Sequence, residues 1–338
     1  MTLAELQSLM EQENAPKFRA GQIFSWLHQK QVLSFGEMTN LPKAFQQRLD
    51  ELCYINQLTV ERKLQSQLDE TVKYLFGLRD GNCVESVLMR YKHGDSLCIS
   101  TQVGCRMGCK FCASTLGGLV RNLTPSEMLD EVYTATRDSG RKVSSLVLMG
   151  IGEPLDNFDN VMRFLELLSH KDGLNLSLRH VSLSTCGLVD RIEQLMEKDL
   201  PLTLSISLHA TDNEKRSKIM PVNNRWKIEQ LLDVCKRYFA KTGRRISFEY
   251  ALIEGVNDSA EDAKALANLL KGFICHINLI PVNQVKETGF SRSSRQAVER
   301  FRAMLESLHM NATVRRELGS DINAACGQLR RDTGRTKV

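Results

Sequence analysis

No stretch of this 338-residue sequence reaches the roughly 18 apolar residues of a membrane-spanning helix, and its opening segment, MTLAELQSLMEQENAPK, carries acidic residues where an export signal needs an apolar core. The expected address is therefore the cytoplasm, with no membrane partner. Low-complexity tracts, heptad runs and internal repeats are also missing, which argues against coiled coils and solenoids. Charge of one sign is scarce: 45 Lys and Arg stand against 40 Asp and Glu, a net +5 that permits nucleic-acid contact without demanding it. Paired zinc-site spacing is lacking too, because a single C-x2-C occurs with no second C-x2-C or H-x3-H to complete a tetrahedron.

What is present is an ordinary globular balance, 42% hydrophobic and 25% charged, in a chain long enough to bury a core without covalent staples. Ten cysteines with no export signal point to thiols kept for metal or redox chemistry and not to a disulfide framework. Residues 1–55 read as short helices around Phe24, Trp26 and Leu27, with Leu41-Pro42 starting a helix through Phe45 and Leu49. Residues 56–96 read as a β-linker, with strands at Val72–Leu78 and Val84–Tyr91 around an Asp80-Gly81 turn. From 97 to 338, β-branched runs at Leu97–Thr101, Ser144–Gly150, His180–Thr185, Leu202–His209, Arg245–Ile253 and His276–Val282 alternate with helix patterns such as 124–139, 158–169, 228–242 and 260–270. Six such units predict a parallel α/β sheet curved into a partial barrel, with function at the C-terminal strand ends.

After the first of those strands, Cys105, Cys109 and Cys112 stand in a C-x3-C-x2-C run with Gly104 and Gly108 beside them. Three thiolates on one loop can ligate three irons of a [4Fe-4S] cube and leave the fourth iron open to a substrate. A structural zinc site or inert buried thiols are the competing readings. Gly152-Glu153-Pro154 ends the second core strand, and Ser184, Ser207, His209 and Asn283 fall at or near other strand ends, where they are either cofactor contacts or ordinary loop and strand-end residues. Cys98 and Cys326 fit no ligand spacing and are either small buried hydrophobes or reactive thiols.

With these motifs the chain resembles the radical S-adenosylmethionine (SAM) superfamily, and more narrowly the RlmN/Cfr family of RNA methyltransferases. The resemblance also rests on Phe111-Cys112-Ala113-Ser114, Arg121-Asn122-Leu123, Met149 to Pro154, Leu183-Ser184-Thr185, Ser207-Leu208-His209-Ala210, Ile280-Pro281-Val282-Asn283 and Asp321 to Leu329. It implies a partial (β/α)6 radical SAM barrel with a small N-terminal helical accessory domain and β-linker, a [4Fe-4S] cluster on Cys105, Cys109 and Cys112, and a SAM site lined by Gly152, Glu153, Ser184, Ser207, Leu208, His209 and Asn283. It implies that one SAM methylates Cys326 by displacement, and that a second, cleaved at the cluster, yields the radical that abstracts hydrogen from that methyl. The methylene radical adds to adenine, Glu85 accepts the C2 proton, and Cys98 releases the adduct by forming a disulfide with Cys326. Such a detour has a chemical reason: adenine C2 lies between two ring nitrogens and is too electron-poor to attack a SAM methyl directly.

The family further implies 23S rRNA as substrate, tRNA in some members, a low-potential electron donor of flavodoxin or ferredoxin type, and extraction of the target base from its stack; a monomer is expected. Positive charge for that contact is sought in Lys17, Arg19, Lys30, Lys43 and Arg48, in Arg216, Lys218 and Arg225, and in Arg292, Arg295, Arg315 and Arg316, with the polar segment 284–296 as a closing loop. Two rival readings are a Cfr-type enzyme methylating C8 of the same adenine, against which Pro154 and Ile280-Pro281 weigh, and a non-catalytic zinc-stabilised RNA-binding protein.

Overall fold

The structure, a computed structural model, describes residues 1–324 apart from 284–286 and 288. Cys326 and most of the candidate closing loop's tip thus lie outside the described residues. The N-terminal helices are α1 (Leu3–Gln12), α2 (Phe18–His28) and α3 (Lys43–Leu52). Strands β1 (Thr59–Gln65), β2 (Val72–Gly77), β3 (Cys83–Tyr91) and β4 (Gly94–Cys98) follow, then a separate two-stranded sheet of β5 (Gln102–Gly104) and β6 (Leu119–Asn122). The alternating part runs α4 (Pro125–Ser139), β7 (Val143–Leu148), α5 (Phe158–Ser169), β8 (Val181–Thr185), α6 (Val189–Glu197), β9 (Thr203–Ser207), α7 (Asn213–Ile219), α8 (Ile228–Thr242), β10 (Ile246–Leu252), α9 (Ala260–Leu269), β11 (Cys275–Pro281), α10 (Arg295–Ser307) and β12 (Ala312–Val314).

Helix boundaries fall where local chemistry puts them. Thr124 caps α4 by accepting from the Glu127 N–H, Pro125 opens its first turn, and Gly140 ends it in the left-handed conformation. Gly243 ends α8 the same way. Periodicity therefore located both helices to within a residue.

The main sheet has ten strands in the order β1-β2-β3-β4-β7-β8-β9-β10-β11-β12. From β4 to β12 neighbours are parallel, while β1 to β4 form an antiparallel meander on one edge. The strands of the linker segment continue the sheet, because β3 pairs with β4. A seventh parallel strand, β12, is added, too short at Ala312–Val314 to leave an apolar run. The first core strand, expected at Leu97–Thr101, lies earlier as β4 and ends at Cys98, and the chain turns into β5 before reaching Cys105.

One continuous core joins the N-terminal helices to the barrel, running from Leu6, Met10 and Phe24 through Val132, Phe164 and Leu204 to Leu279. Phe24 stacks obliquely on His170, and His28 Nδ1 lies 2.9 Å from the Tyr133 hydroxyl. A second, smaller apolar cluster packs Val87, Met89, Cys98 and Ile151 against Leu318 and Ala324 of the C-terminal segment. Among the described residues no helix is long and apolar enough to cross a membrane.

Candidate active site

A cleft with about 970 Å³ free of protein atoms opens at the C-terminal ends of the parallel strands. The loop between β5 and β6 supplies Cys105, Cys109 and Cys112 to its wall. The end of β7 supplies Gly152 and Glu153, and β8, β9 and β11 bring Ser184, Ser207 and Asn283. Residues far apart in the chain thus face one space.

The cysteine loop needs its glycines. Gly104 sits at φ +78°, and a Cβ there would run into the Gly118 carbonyl across the β5–β6 pair. Gly108 is also in the left-handed region, at +72°, as expected for backbone wrapped around a bulky group. Burial pushes the Cys105 thiol up to about 12, with Glu153, Cys112 and Asp156 adding to the rise, and drives Cys109 well above its usual range, with Cys112 and Cys105 reinforcing it. Such a trio favours thiolates only when positive charge arrives with the ligand. Three thiols on one loop suit a [4Fe-4S] cube, which gives each thiolate its own iron, whereas a structural zinc site needs a fourth ligand.

Glu153 is buried, which raises its carboxyl, and its oxygens accept from the Cys186 N–H at 2.8 Å and the Leu155 N–H at 3.0 Å. Thr185 and Cys186 side chains add to those partners, so the carboxylate is held in place facing the cleft. His209 takes φ +58° and is buried; its Nδ1 accepts from the Ala251 N–H at 2.9 Å, which assigns the proton to Nε2. Its ring meets Phe111 of the cysteine loop edge-on at 5.0 Å. Leu208 turns its side chain into the core, and its carbonyl accepts from Arg216 Nε at 3.0 Å.

Arg216 is the largest correction. Placed among candidate RNA contacts by sequence, it is instead fully buried beneath the cleft, donating to the carbonyls of Leu208, Cys186 and Ser207 and to Asn223 Oδ1 at 2.7–3.1 Å. A guanidinium has five donors in a fixed fork, so one side chain gathers three strand-end carbonyls. Sequence reasoning also passed over Glu249, which lines the cleft and accepts from Ser247 Oγ at 3.0 Å and Asn278 Nδ2 at 2.6 Å. Its signal was available, as an acidic residue inside the apolar run Arg245–Ile253.

Beside the cleft lies a recess lined by Val87, Met89, Cys98, Leu318 and Ala324, which shares Met149, Ile280, Asn283 and Arg315 with it. Cys98 therefore neighbours the site, and Ala324 brings the chain there two residues before Cys326. Side chains alternate along β3, so Glu85 shares a face with Val87, whose register partner is Cys98. Glu85 is buried, with Lys73 Nζ 2.9 Å from its Oε1.

On the outer surface, Arg19 lies over Phe18 and Phe45 at 5.6 and 5.7 Å and Lys30 over Trp26 at 3.3 Å, pairing cations with aromatic faces. Other candidates are engaged with carboxylates: Lys17 with Glu11, Arg48 with Glu13 and Glu51, Lys218 with Glu214, and Arg292 with Glu317.

His209 also sets a pH response. Burial lowers it to about 3 and His28 to about 4, whereas an unfolded histidine titrates near 6.5. Between those values the unfolded chain binds protons that the folded chain refuses, so stability falls as pH drops from 6.5 through 4 toward 3. Urea midpoints measured across this range should decline, and less steeply in His28→Gln; an unchanged slope in that variant refutes the assignment.

Residues 99–269 match the model of the Radical SAM superfamily, and residues 1–55 that of the ribosomal RNA large subunit methyltransferase N-terminal domain. A protein of Clostridium perfringens (strain 13 / Type A), named probable dual-specificity RNA methyltransferase RlmN, is 54% identical across 99% of this chain and 97% of its own length. One of the same name from Desulforamulus reducens is 54% identical across 97% and 94%. A radical SAM methyltransferase from Sphaerobacter thermophilus, known from its crystal structure, superposes with a TM-score of 0.94 at 41% identity, over 98% of each chain.

Proposed function

The chain belongs to the RlmN family of radical SAM RNA methyltransferases, enzymes that use a [4Fe-4S] cluster and SAM, and on that footing we propose that it methylates C2 of one adenine in 23S rRNA through an S-methylcysteine at Cys326. The dual specificity in the relatives' names supports a second RNA substrate, which we take from the family resemblance to be tRNA at the adenine beside the anticodon. The observation that supports the reading is the recess joined to the cleft: Cys98 and Ala324 both line it, and it shares Met149, Ile280, Asn283 and Arg315 with the space faced by Cys105, Cys109 and Cys112.

In this reading Cys105, Cys109 and Cys112 hold the cluster, and Gly152, Glu153, Ser184, Ser207, His209 and Asn283 line the SAM site, with Leu208 shaping it from the core. The cluster, held by Cys105, Cys109 and Cys112, would supply one-electron reduction of SAM and would accept the electron released as the RNA adduct is oxidised. The protein's own residues do the rest. Glu85 accepts the C2 proton. The Cys98 thiolate then attacks the Cys326 sulfur, so that the S–S bond forms as the S–CH2 bond breaks, and the pair left on carbon is protonated to the new methyl. His209, neutral with its Nε2 proton available, is a donor toward the cofactor and not a base.

Residues 1–55 serve as the RNA-contacting module, 56–96 as linker and 97–338 as catalytic core; the cation–aromatic pairs at Phe18, Arg19 and Lys30 support the first assignment. A flavodoxin- or ferredoxin-type donor, a monomeric state and a cytoplasmic location complete the proposal. Mass mapping of rRNA treated with reconstituted enzyme is its test. The expected product is 2-methyladenosine; 8-methyladenosine would move the protein to the Cfr reaction, and unmodified RNA would reject both.

A further inference from the structure

We infer that Lys73 is a positioning residue that holds the proton acceptor Glu85 and the arm carrying Cys326 in register with each other. This rests on the reading of Glu85 and Cys326 given above and names the device that coordinates them.

Lys73 lies on β2 and its ammonium makes two contacts at once. Nζ is 2.9 Å from Glu85 Oε1 and donates to the Asn323 carbonyl at 3.1 Å. Asn323 stands three residues before Cys326, at φ +51°, in the last turn of the described arm. A lysine suits this bridge because its compact charge carries three rotatable donors, enough for a carboxylate and a carbonyl together.

The arm is also fastened further back. Asp321 Oδ1 accepts from Ser66 Oγ at 2.7 Å and its Oδ2 from the Gln67 N–H at 2.8 Å, while the Gly319 N–H donates to Asp69 Oδ2 at 3.0 Å. All three contacts come from the β1–β2 turn. They anchor the arm to the sheet edge, and Lys73 alone among these partners also reaches the acceptor.

Stability does not account for this pair. Both side chains are about 10% exposed, and a buried ion pair is on balance no better than packed apolar residues of the same volume. What the pair provides is geometry. Glu85 must face the base while Cys326 is joined to it, and one ammonium bonded to both sides ties those two conditions together.

Full-length reconstituted enzyme with RNA gives the test, using Lys73→Met, Lys73→Arg and Glu85→Gln. In Lys73→Met, 5'-deoxyadenosine formation and Cys326 methylation, read by mass spectrometry, should stay within about twofold of wild type. Methylated RNA should fall by about 100-fold, the usual worth of a positioned base, and a covalent protein–RNA adduct should accumulate on denaturing gels. Lys73→Arg, which keeps the charge, should recover a large part of the turnover. If Lys73→Met does not fold, Lys73→Gln, which keeps a donor and drops the charge, is read at the same stages and must stall likewise. Equal losses at every stage, or normal turnover, overturn the inference. Glu85→Gln separates the two levels: should it turn over without adduct, the assignment of Glu85 fails whatever Lys73 does, whereas a stalled Glu85→Gln beside a normal Lys73→Met rejects the role of Lys73 alone.

Discussion

Cys109→Ala is expected to remove iron binding and the reductive cleavage of SAM together, while leaving the folded chain nearly as stable as before. Cys109 is the middle thiol of the trio and lines the cleft between Cys105 and Cys112. Losing it leaves two thiolates, too few to hold a cube with a single open iron. The stability cost of trimming one small, half-buried side chain is about 1 kcal/mol. Anaerobically reconstituted wild type should be brown, carry about four irons and release 5'-deoxyadenosine with dithionite. The variant should be colourless and release none. A colourless wild type with stoichiometric zinc, or a variant that still cleaves SAM, would sink the assignment.

Arg216→Met should produce the largest loss of stability of any single replacement considered. The guanidinium satisfies three buried carbonyls and the Asn223 amide oxygen, and burial lowers its affinity for its own proton, so those bonds compensate a real desolvation cost. Methionine fills the volume and donates nothing. Each carbonyl left unsatisfied costs about 1–3 kcal/mol, so a destabilisation of at least about 3 kcal/mol is expected by chemical denaturation. Arg216 also favours the Cys109 thiolate through its charge, so iron retention should weaken in whatever fraction folds. A loss below about 1 kcal/mol would show that the strand ends hold themselves.

These two residues mark the difference between what was legible in the chain and what was not. The cysteine trio was readable because its ligands come from one short loop, where spacing alone limits the chemistry. Arg216 was misread because a lone arginine in a polar stretch looks solvated until neighbouring strands close over it. Glu85 was legible only through the family resemblance, because its burial and its pairing with Lys73 depend on how β2 and β3 pack.

The amino-acid sequence alone determined the local elements and the cluster loop: helix ends set by Thr124, Gly140 and Gly243, the run of parallel strands, and three thiols with glycines that let the backbone curl. Those features depend on residues within a few positions of one another, so the chain states them directly. Tertiary structure decided which distant groups meet. It joined the linker strands to the barrel sheet, set Cys98 in a recess beside the cleft, sank Arg216 beneath the strand ends, and brought Lys73 between Glu85 and Asn323. Each of those depends on strand register and burial, which arise only when segments separated by tens to hundreds of residues pack together.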